Sequence, residues 1–398
     1  MQSKIGSLNE HFKKNTYYRF FKDVQGNWLR FTTLLSERII NQYLRPLTSQ
    51  NRDTCFAIDD TLYERIGYKK TELAAKVFDH VNMMYRKGFH LLTLGWTDGC
   101  TFLPINFSLL SSPKDTNVLG KIEDFDKRSL RYKRRAMART KATEVMIELL
   151  KTAIKADHHA KYVLMDSWFA NPRQILDIKE LGLNVIAMVK RSSRIRYLLN
   201  GQLKNIKQIY AYCKKRRGRS KYLLSIPVQI CIAGKECRDA RIVCVRNRNN
   251  RKDWIAFLTT DMSLSEEDII RIYGKRWDIE VFFKTCKSTL LLTKGYHGLS
   301  YDALTAYIAI VFVRYMLLAV AKRNNEDDRT LGELFYLMVS EVADLTYSES
   351  MLIIVTAMLN TVHEMFQLTE AQTNEMMEKF MNNLPEHLRK CLEPRLAA

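Results

Sequence analysis

The chain has 398 residues, 46% of them hydrophobic and 27% charged, enough for one large core or two modest ones. Its net charge of +20 and pI near 9.5 point to a polyanionic partner. Eight cysteines without a CxxC pair or disulfide spacing argue against a zinc finger or a disulfide scaffold, and a polar Met1–Asn15 argues against a signal peptide. Free thiols in a reducing cytoplasm are the expectation; Cys231 and Cys237 could pair or bind metal, but the absence of partnered histidines at zinc-finger spacing argues against it.

In chain order, residues 1–50 read as a short helical N-terminal region, with helical apolar spacing from Trp28 to Leu44 and a stop at Pro46. Thr54–Ile58 is a strand ending in Asp59-Asp60-Thr61. Gly88–Trp96 and Thr101–Leu109 form a hairpin around Thr97-Asp98-Gly99. A charged linker over Ser111–Lys133 leads to an amphipathic helix from Ala142 to Ile154, and His158 and His159 read as loop residues. Tyr162–Met165 is a buried strand ending at Asp166. A helix then runs from Pro172 to Leu181, stopped by Gly182, and Asn184–Val189 is a further strand. Residues 191–260 are β-rich, with strands at Tyr222–Ile232, Asp239–Val245 and Trp254–Leu258, and turns at Gly234 and Asn247–Asn250. Ser263-x-x-Glu266 reads as a capping box opening the helix that carries Glu280, and residues 301–398 read as helical. Ala303–Ala321 is nearly long enough to span a membrane, but Arg314 interrupts it and a buried core helix explains it better.

Charge is segregated along the chain. Lys127–Lys141 holds eight basic residues and no acid, and Lys190–Lys221 holds a dozen, interleaved with Tyr197, Tyr210 and Tyr212 and followed by Tyr222; acids gather after Asn324. The densest chemistry lies between Tyr273 and Lys287. On one helix Tyr273, Arg276, Glu280, Lys284 and Lys287 fall within about 80° of each other, bordered by Trp277 and Phe283. A carboxylate among cations beside apolar surface suits metal and phosphate chemistry. Asp60 and Asp166, at the ends of strands able to lie side by side, supply two further carboxylates. Such acids repel one another unless cations neutralise them, and two Mg2+ ions on carboxylate oxygens are the usual solution. Each acid has a plainer reading: Asp59-Asp60-Thr61 as a turn, Asp166 as an N-cap, the stripe as a salt-bridged surface. Their concurrence in a basic chain favours the catalytic one.

Asp60, Asp166 and the spacing Tyr273-x2-Arg276-x3-Glu280-x6-Lys287 resemble the DDE transposases of bacterial insertion sequences, specifically the insertion-sequence-four family, over residues 53–295. The resemblance implies an α/β fold: a ribonuclease-H-like mixed-sheet catalytic core (51–190 and 261–300) interrupted by a β-rich insertion (191–260), with helical N- and C-terminal segments. It implies that Asp60, Asp166 and Glu280 are catalytic and bind two Mg2+ ions, with Mn2+ as a substitute. It further implies that Tyr273, Arg276 and Lys287 contact transposon-end DNA, and that Trp254 stacks on a base flipped from that end, a task an indole face suits. A buried strand tryptophan is the other reading of Trp254. Asp59 and Asp60 are adjacent and strand side chains alternate, so only one can face the site; the motif match favours Asp60. The implied activity is cut-and-paste transposition: metal-dependent cleavage at transposon ends, through hairpin ends, and transfer into target DNA. The partners are double-stranded DNA and a second copy of the chain, with no membrane, in the bacterial cytoplasm at the nucleoid. Two alternatives stay open, a metal-dependent structure-specific nuclease and an inactive, transposase-derived DNA-binding protein.

Overall fold

The computed structural model describes residues 14–22, 26–49, 52–79, 82–216, 221–247, 250, 253–325, 362, 365–366 and 369–383. The chain divides into two units, 1–327 and 328–398. The acids expected between Glu326 and Asp344 lie outside the described residues, as do parts of the turn at Asn247–Asn250 and of the basic run before Lys221. In the second unit the described helix is Glu370–Asn383.

The first unit is built on one continuous eleven-stranded sheet. Its centre is β1 (Cys55–Glu64), antiparallel to β3 (Met84–Thr97) and parallel to β5 (Tyr162–Met165), which is parallel in turn to β6 (Asn184–Met188). β2 (Ala75–Asp79) and β4 (Phe102–Leu110) share the far side of β3, β2 along Met84–Gly88 and β4 along His90–Thr97. The handover falls at Gly88, with φ +152°, where a Cβ would lie 2.2 Å from the Tyr63 carbonyl oxygen. β1 is longer than its composition suggested. It pairs with β3 through Glu64, so Asp59 and Asp60 sit within the strand rather than in a turn beyond it. β2 went unread because its alternation is short and flanked by polar residues.

The stretch expected as a β-rich insertion does not form a sheet of its own. β11 (Trp254–Thr259) pairs antiparallel with β6 and is followed outward by β10 (Arg238–Arg246), β9 (Tyr222–Ile230), β7 (Tyr197–Leu199) and β8 (Gln202–Lys204). The turn from β9 to β10 brings the Cys231 and Cys237 Cα atoms to 4.4 Å, and the two are joined in a disulfide, contrary to the expectation of free thiols throughout.

Helices cover both faces. α1 (Lys14–Phe21), α2 (Trp28–Ile39), α3 (Leu130–Ala138), α4 (Ala142–Lys155) and α5 (Pro172–Glu180) come before the outer strands, and α6 (Ile206–Tyr212) lies among them. α3 occupies ground expected as linker; the Ser129 hydroxyl caps it by accepting from the Tyr132 amide. α4 buries Val145, Met146, Leu149, Leu150 and Ala153, matching its sequence periodicity. α7 (Glu266–Gly274) packs Ile269, Ile272 and Tyr273 with Cys55, Tyr162 and Leu164 on the other face. α9 (Tyr301–Asn325) is, among the described residues, the helix long and apolar enough to cross a membrane. Its Tyr301–Ala309 stretch is nevertheless buried in the main core with β4 and α2, as a core helix would be.

Candidate active site

Four chain segments meet around β1. The parallel register pairs Ile58 with Met165, so the next residues along, Asp59 and Asp166, come level at the sheet's centre. Asp166 closes the turn after β5, its Oδ1 accepting from the Trp168 amide at 2.9 Å and the Phe169 amide at 3.2 Å. It closes a turn and does not cap the next helix, whose N-cap is Asn171, so its plainer reading as an N-cap does not hold.

The Tyr273–Lys287 stripe is not on one helix. The cap of α7 is Ser265 rather than Ser263, since Ser265 is extended (φ −69°, ψ 162°) and accepts from the Asp268 amide. α7 stops at Gly274, and α8 (Trp277–Ser288) begins after Arg276. Lys275 pins the break. Its buried ammonium donates to the backbone carbonyls of Asp53 at 2.6 Å and Asp98 at 3.3 Å. Asp278, one turn on, accepts 2.6 Å from the Thr97 hydroxyl, and burial pushes its carboxyl up to about 6 against that bond. Neither Lys275 nor Asp278 stood out in sequence, because each anchors to backbone or hydroxyl partners that spacing does not reveal.

The break aims Arg276 back at the sheet. Its guanidinium donates to Asp59 Oδ2 at 2.9 Å and also pairs with Glu280, so one cation bridges β1 and α8. Burial works against the Arg276 charge, but Tyr273, Asp59 and Glu280 outweigh it and hold its pKa above the ordinary value. Burial lifts the Asp59 carboxyl to about 7, with Arg276 opposing and Asp166 and Asp60 adding to the rise. Asp166 is raised by burial too, and its two amide bonds and Arg276 pull the other way.

Asp60, favoured by the motif match, faces elsewhere. Strand alternation turns it to the opposite side of β1 from Asp59, where its carboxylate lies 3.4 Å from His90 Nδ1. Burial lowers the His90 pKa, but Asp60 outweighs it and the net shift is upward. The Arg276–Glu280 pair therefore meets Asp59 and not Asp60.

The residues expected to hold DNA are turned inward. Tyr273 is buried and its hydroxyl is pushed up to about 12 by that burial. Lys287 donates 2.6 Å to Thr61 on β1, and burial lowers its pKa. Trp254 stacks on Tyr210 at 4.2 Å with 12° between the rings, and the Arg191 guanidinium lies 4.3 Å over the indole. A base stacking there must displace one of these two neighbours.

Among the described residues no group of three or more His, Cys, Asp or Glu side chains is arranged to hold a metal ion. The donor chemistry nevertheless suits a hard divalent cation. Asp59 and Asp166 are carboxylates raised by burial, and Arg276 is the positive charge between Asp59 and Glu280. Tyr273 lies beside them with the Arg276 guanidinium 5.8 Å from its ring centroid.

A family model described as DDE superfamily endonuclease matches residues 5–240, more than half of the chain. The match contains Asp59, Asp60 and Asp166 and ends before β11, α7 and α8. No curated protein matches the chain.

Proposed function

The chain belongs to the DDE superfamily endonucleases, and from that premise we propose that it is a DNA transposase of the insertion-sequence-four type, cutting at the ends of its element and joining them to target DNA. The observation that carries the reading is the convergence on Arg276 of Asp59 from β1 and Glu280 from α8, with Asp166 level with Asp59 on the neighbouring strand.

For the first acid we take Asp59 over Asp60, because it shares the Arg276 side of β1. Asp59, Asp166 and Glu280 are the residues that would hold divalent metal. Bound there, Mg2+ or Mn2+ would activate water or a 3′-hydroxyl and stabilise the leaving oxygen of a phosphodiester. Arg276 neutralises Asp59 and Glu280, which otherwise would be neighbouring like charges. A DNA phosphate would compete with Asp59 and Glu280 for the Arg276 guanidinium, whose planar fork suits bidentate binding. Lys287, freed from Thr61, supplies a second phosphate contact, and Tyr273 and Trp254 are assigned to the DNA end. Cut-and-paste joining through hairpin ends, on paired ends held by two copies of the chain, is the sequence of events we infer, in the cytoplasm where the chromosome lies.

The test uses duplex DNA carrying the element's own ends with Mg2+. Asp166→Asn, Glu280→Gln and Asp59→Asn should each abolish cleavage while end binding persists, and Asp60→Asn should retain it. Wild-type cleavage by Asp166→Asn or Glu280→Gln would sink the catalytic reading; cleavage lost in Asp60→Asn but kept in Asp59→Asn would return the first position to Asp60. Supplying pre-cut ends with a plasmid target then separates a transposase, which joins them, from a nuclease, which does not.

A further inference from the structure

The turn closed by Asp166 carries an exposed tryptophan. Trp168 is 42% exposed, and its neighbour Phe169 is buried, so the turn is anchored while the indole stands outward. Lys190 extends its ammonium to 4.5 Å from the Trp168 ring. The next residue, Arg191, reaches 4.3 Å over the Trp254 ring; Trp254 stacks on Tyr210; Lys215 stands 5.0 Å from the Tyr210 ring. Consecutive residues on one backbone thus link the Asp166 turn to the outer sheet through alternating rings and cations.

We propose that Trp168, Lys190, Arg191, Trp254, Tyr210 and Lys215 form a track for an unpaired DNA strand that begins at the Asp166 turn. The proposal rests on the DNA-cleaving reading of that turn and extends it to a substrate form. A single strand offers bases and phosphates in alternation; the outward Trp168 ring receives a base face, the cations receive phosphates, and a base at Trp254 or Tyr210 takes the place of a neighbour already on that ring. In a duplex the base faces are covered by their neighbours, so the rings add little to duplex binding. An unpaired strand is the form in which this surface matches both halves of its ligand.

The test measures, by fluorescence anisotropy at one fixed salt concentration, the affinity of the full chain for labelled oligo-dT and for a blunt duplex of the same length. Trp168→Ala should weaken oligo-dT binding about tenfold, within the span of one lost base-stacking contact, and leave duplex binding within about twofold. Trp168→Phe, which keeps a ring, should restore most of the loss, and all three proteins should melt together. Equal loss for both DNAs, no loss for either, or a Phe variant as weak as the Ala variant would overturn the track. Mg2+-dependent cleavage of duplex ends is measured on the same wild-type preparation. Selective loss of oligo-dT binding without any cleavage would overturn the endonuclease reading and leave the track standing. Cleavage without selective loss would do the reverse.

Discussion

Two stretches of this chain carry dense positive charge, and they use it in opposite directions. In Lys127–Lys141 three of the eight cations, Arg131, Arg134 and Arg135, turn onto a buried acid, while Arg139 pairs with an exposed one. Arg135 is buried and donates to both oxygens of Glu72 and of Asp302, Arg131 and Arg134 also pair with Asp302, and Arg139 pairs with Asp115. Glu72 in turn accepts from the first amide of α9, at Tyr301, so this network fastens α3, the loop before β2 and the start of α9 to each other. Lys127, Arg128, Lys133 and Lys141 stay exposed. In Lys190–Lys221 the described cations lie at the surface, and several rest against aromatic rings: Lys190, Arg191, Lys204, Lys215 and Lys221. Arg191 and Arg216 also pair with Asp253 and Glu266, but at exposed positions. Charge density along a sequence therefore reports a polyanion partner only where the cations lack buried acids to meet. The Lys127–Lys141 run is partly architecture.

Four changes would break or sharpen this contrast. The largest effect is expected from Arg135→Met. Removing one partner of a buried ion pair leaves Glu72 short of its cation, and a loss of ~3–5 kcal/mol in chemical denaturation is expected. A loss below about 1 kcal/mol would place the network with ordinary surface ion pairs.

The next effect separates two adjacent histidines. His158 is buried, its ring 3.0 Å from the Ser36 hydroxyl and 3.2 Å from the Ala153 carbonyl, whereas His159 is exposed beside Asp157. Burial lowers the His158 pKa to about 4 from an ordinary 6.5. As pH falls below 6.5 the unfolded chain takes up a proton that the folded imidazole refuses, so His158 withdraws stability between pH 6.5 and 4. The full contribution is present above that window and is on the order of 3 kcal/mol. Comparing melting of wild type and His158→Gln across pH 4–8, the difference should narrow as pH falls; a constant difference would place a charged imidazole in the fold.

The smallest effect on stability belongs to the outward cations. Lys190→Gln with Lys204→Gln and Lys215→Gln should change stability by no more than about 0.5 kcal/mol. The same triple variant should flatten the dependence of log affinity on log salt for single-stranded DNA by roughly 0.7 per lost phosphate contact. An unchanged salt slope would mean that these ammonium groups serve their rings alone. Arg134→Gln, made alongside, should lower stability without altering the slope, because its charge is held by Asp302.

Much of this was legible beforehand. Helical periodicity placed α4, apolar runs placed β5 and β6, and Asp60, Asp166 and the Tyr273-x2-Arg276-x3-Glu280-x6-Lys287 spacing carried the resemblance to the DDE enzymes, whose superfamily model the chain matches. These features are local, set by spacing and by residues that favour one backbone state. The polar pair Asp59-Asp60 hid the true length of β1, since its strand character comes from pairing with β3 and not from its own composition. The disulfide needed the β9–β10 turn, and the joining of the outer strands to the core sheet needed the β6–β11 pairing.

The sequence by itself determined which residue types are present and at what spacing, and with them the class of chemistry: carboxylates for metal, cations for phosphate, rings for bases. Direction was decided only by the tertiary structure. The face of β1 on which each adjacent aspartate lies, the break at Lys275 that turns Arg276 onto Asp59 and Glu280, and the buried acids that claim Arg131, Arg134 and Arg135 all depend on segments far apart in the chain. The physical reason is that a charge's role follows from what it meets when desolvated, and those encounters are made by folding across long sequence separations.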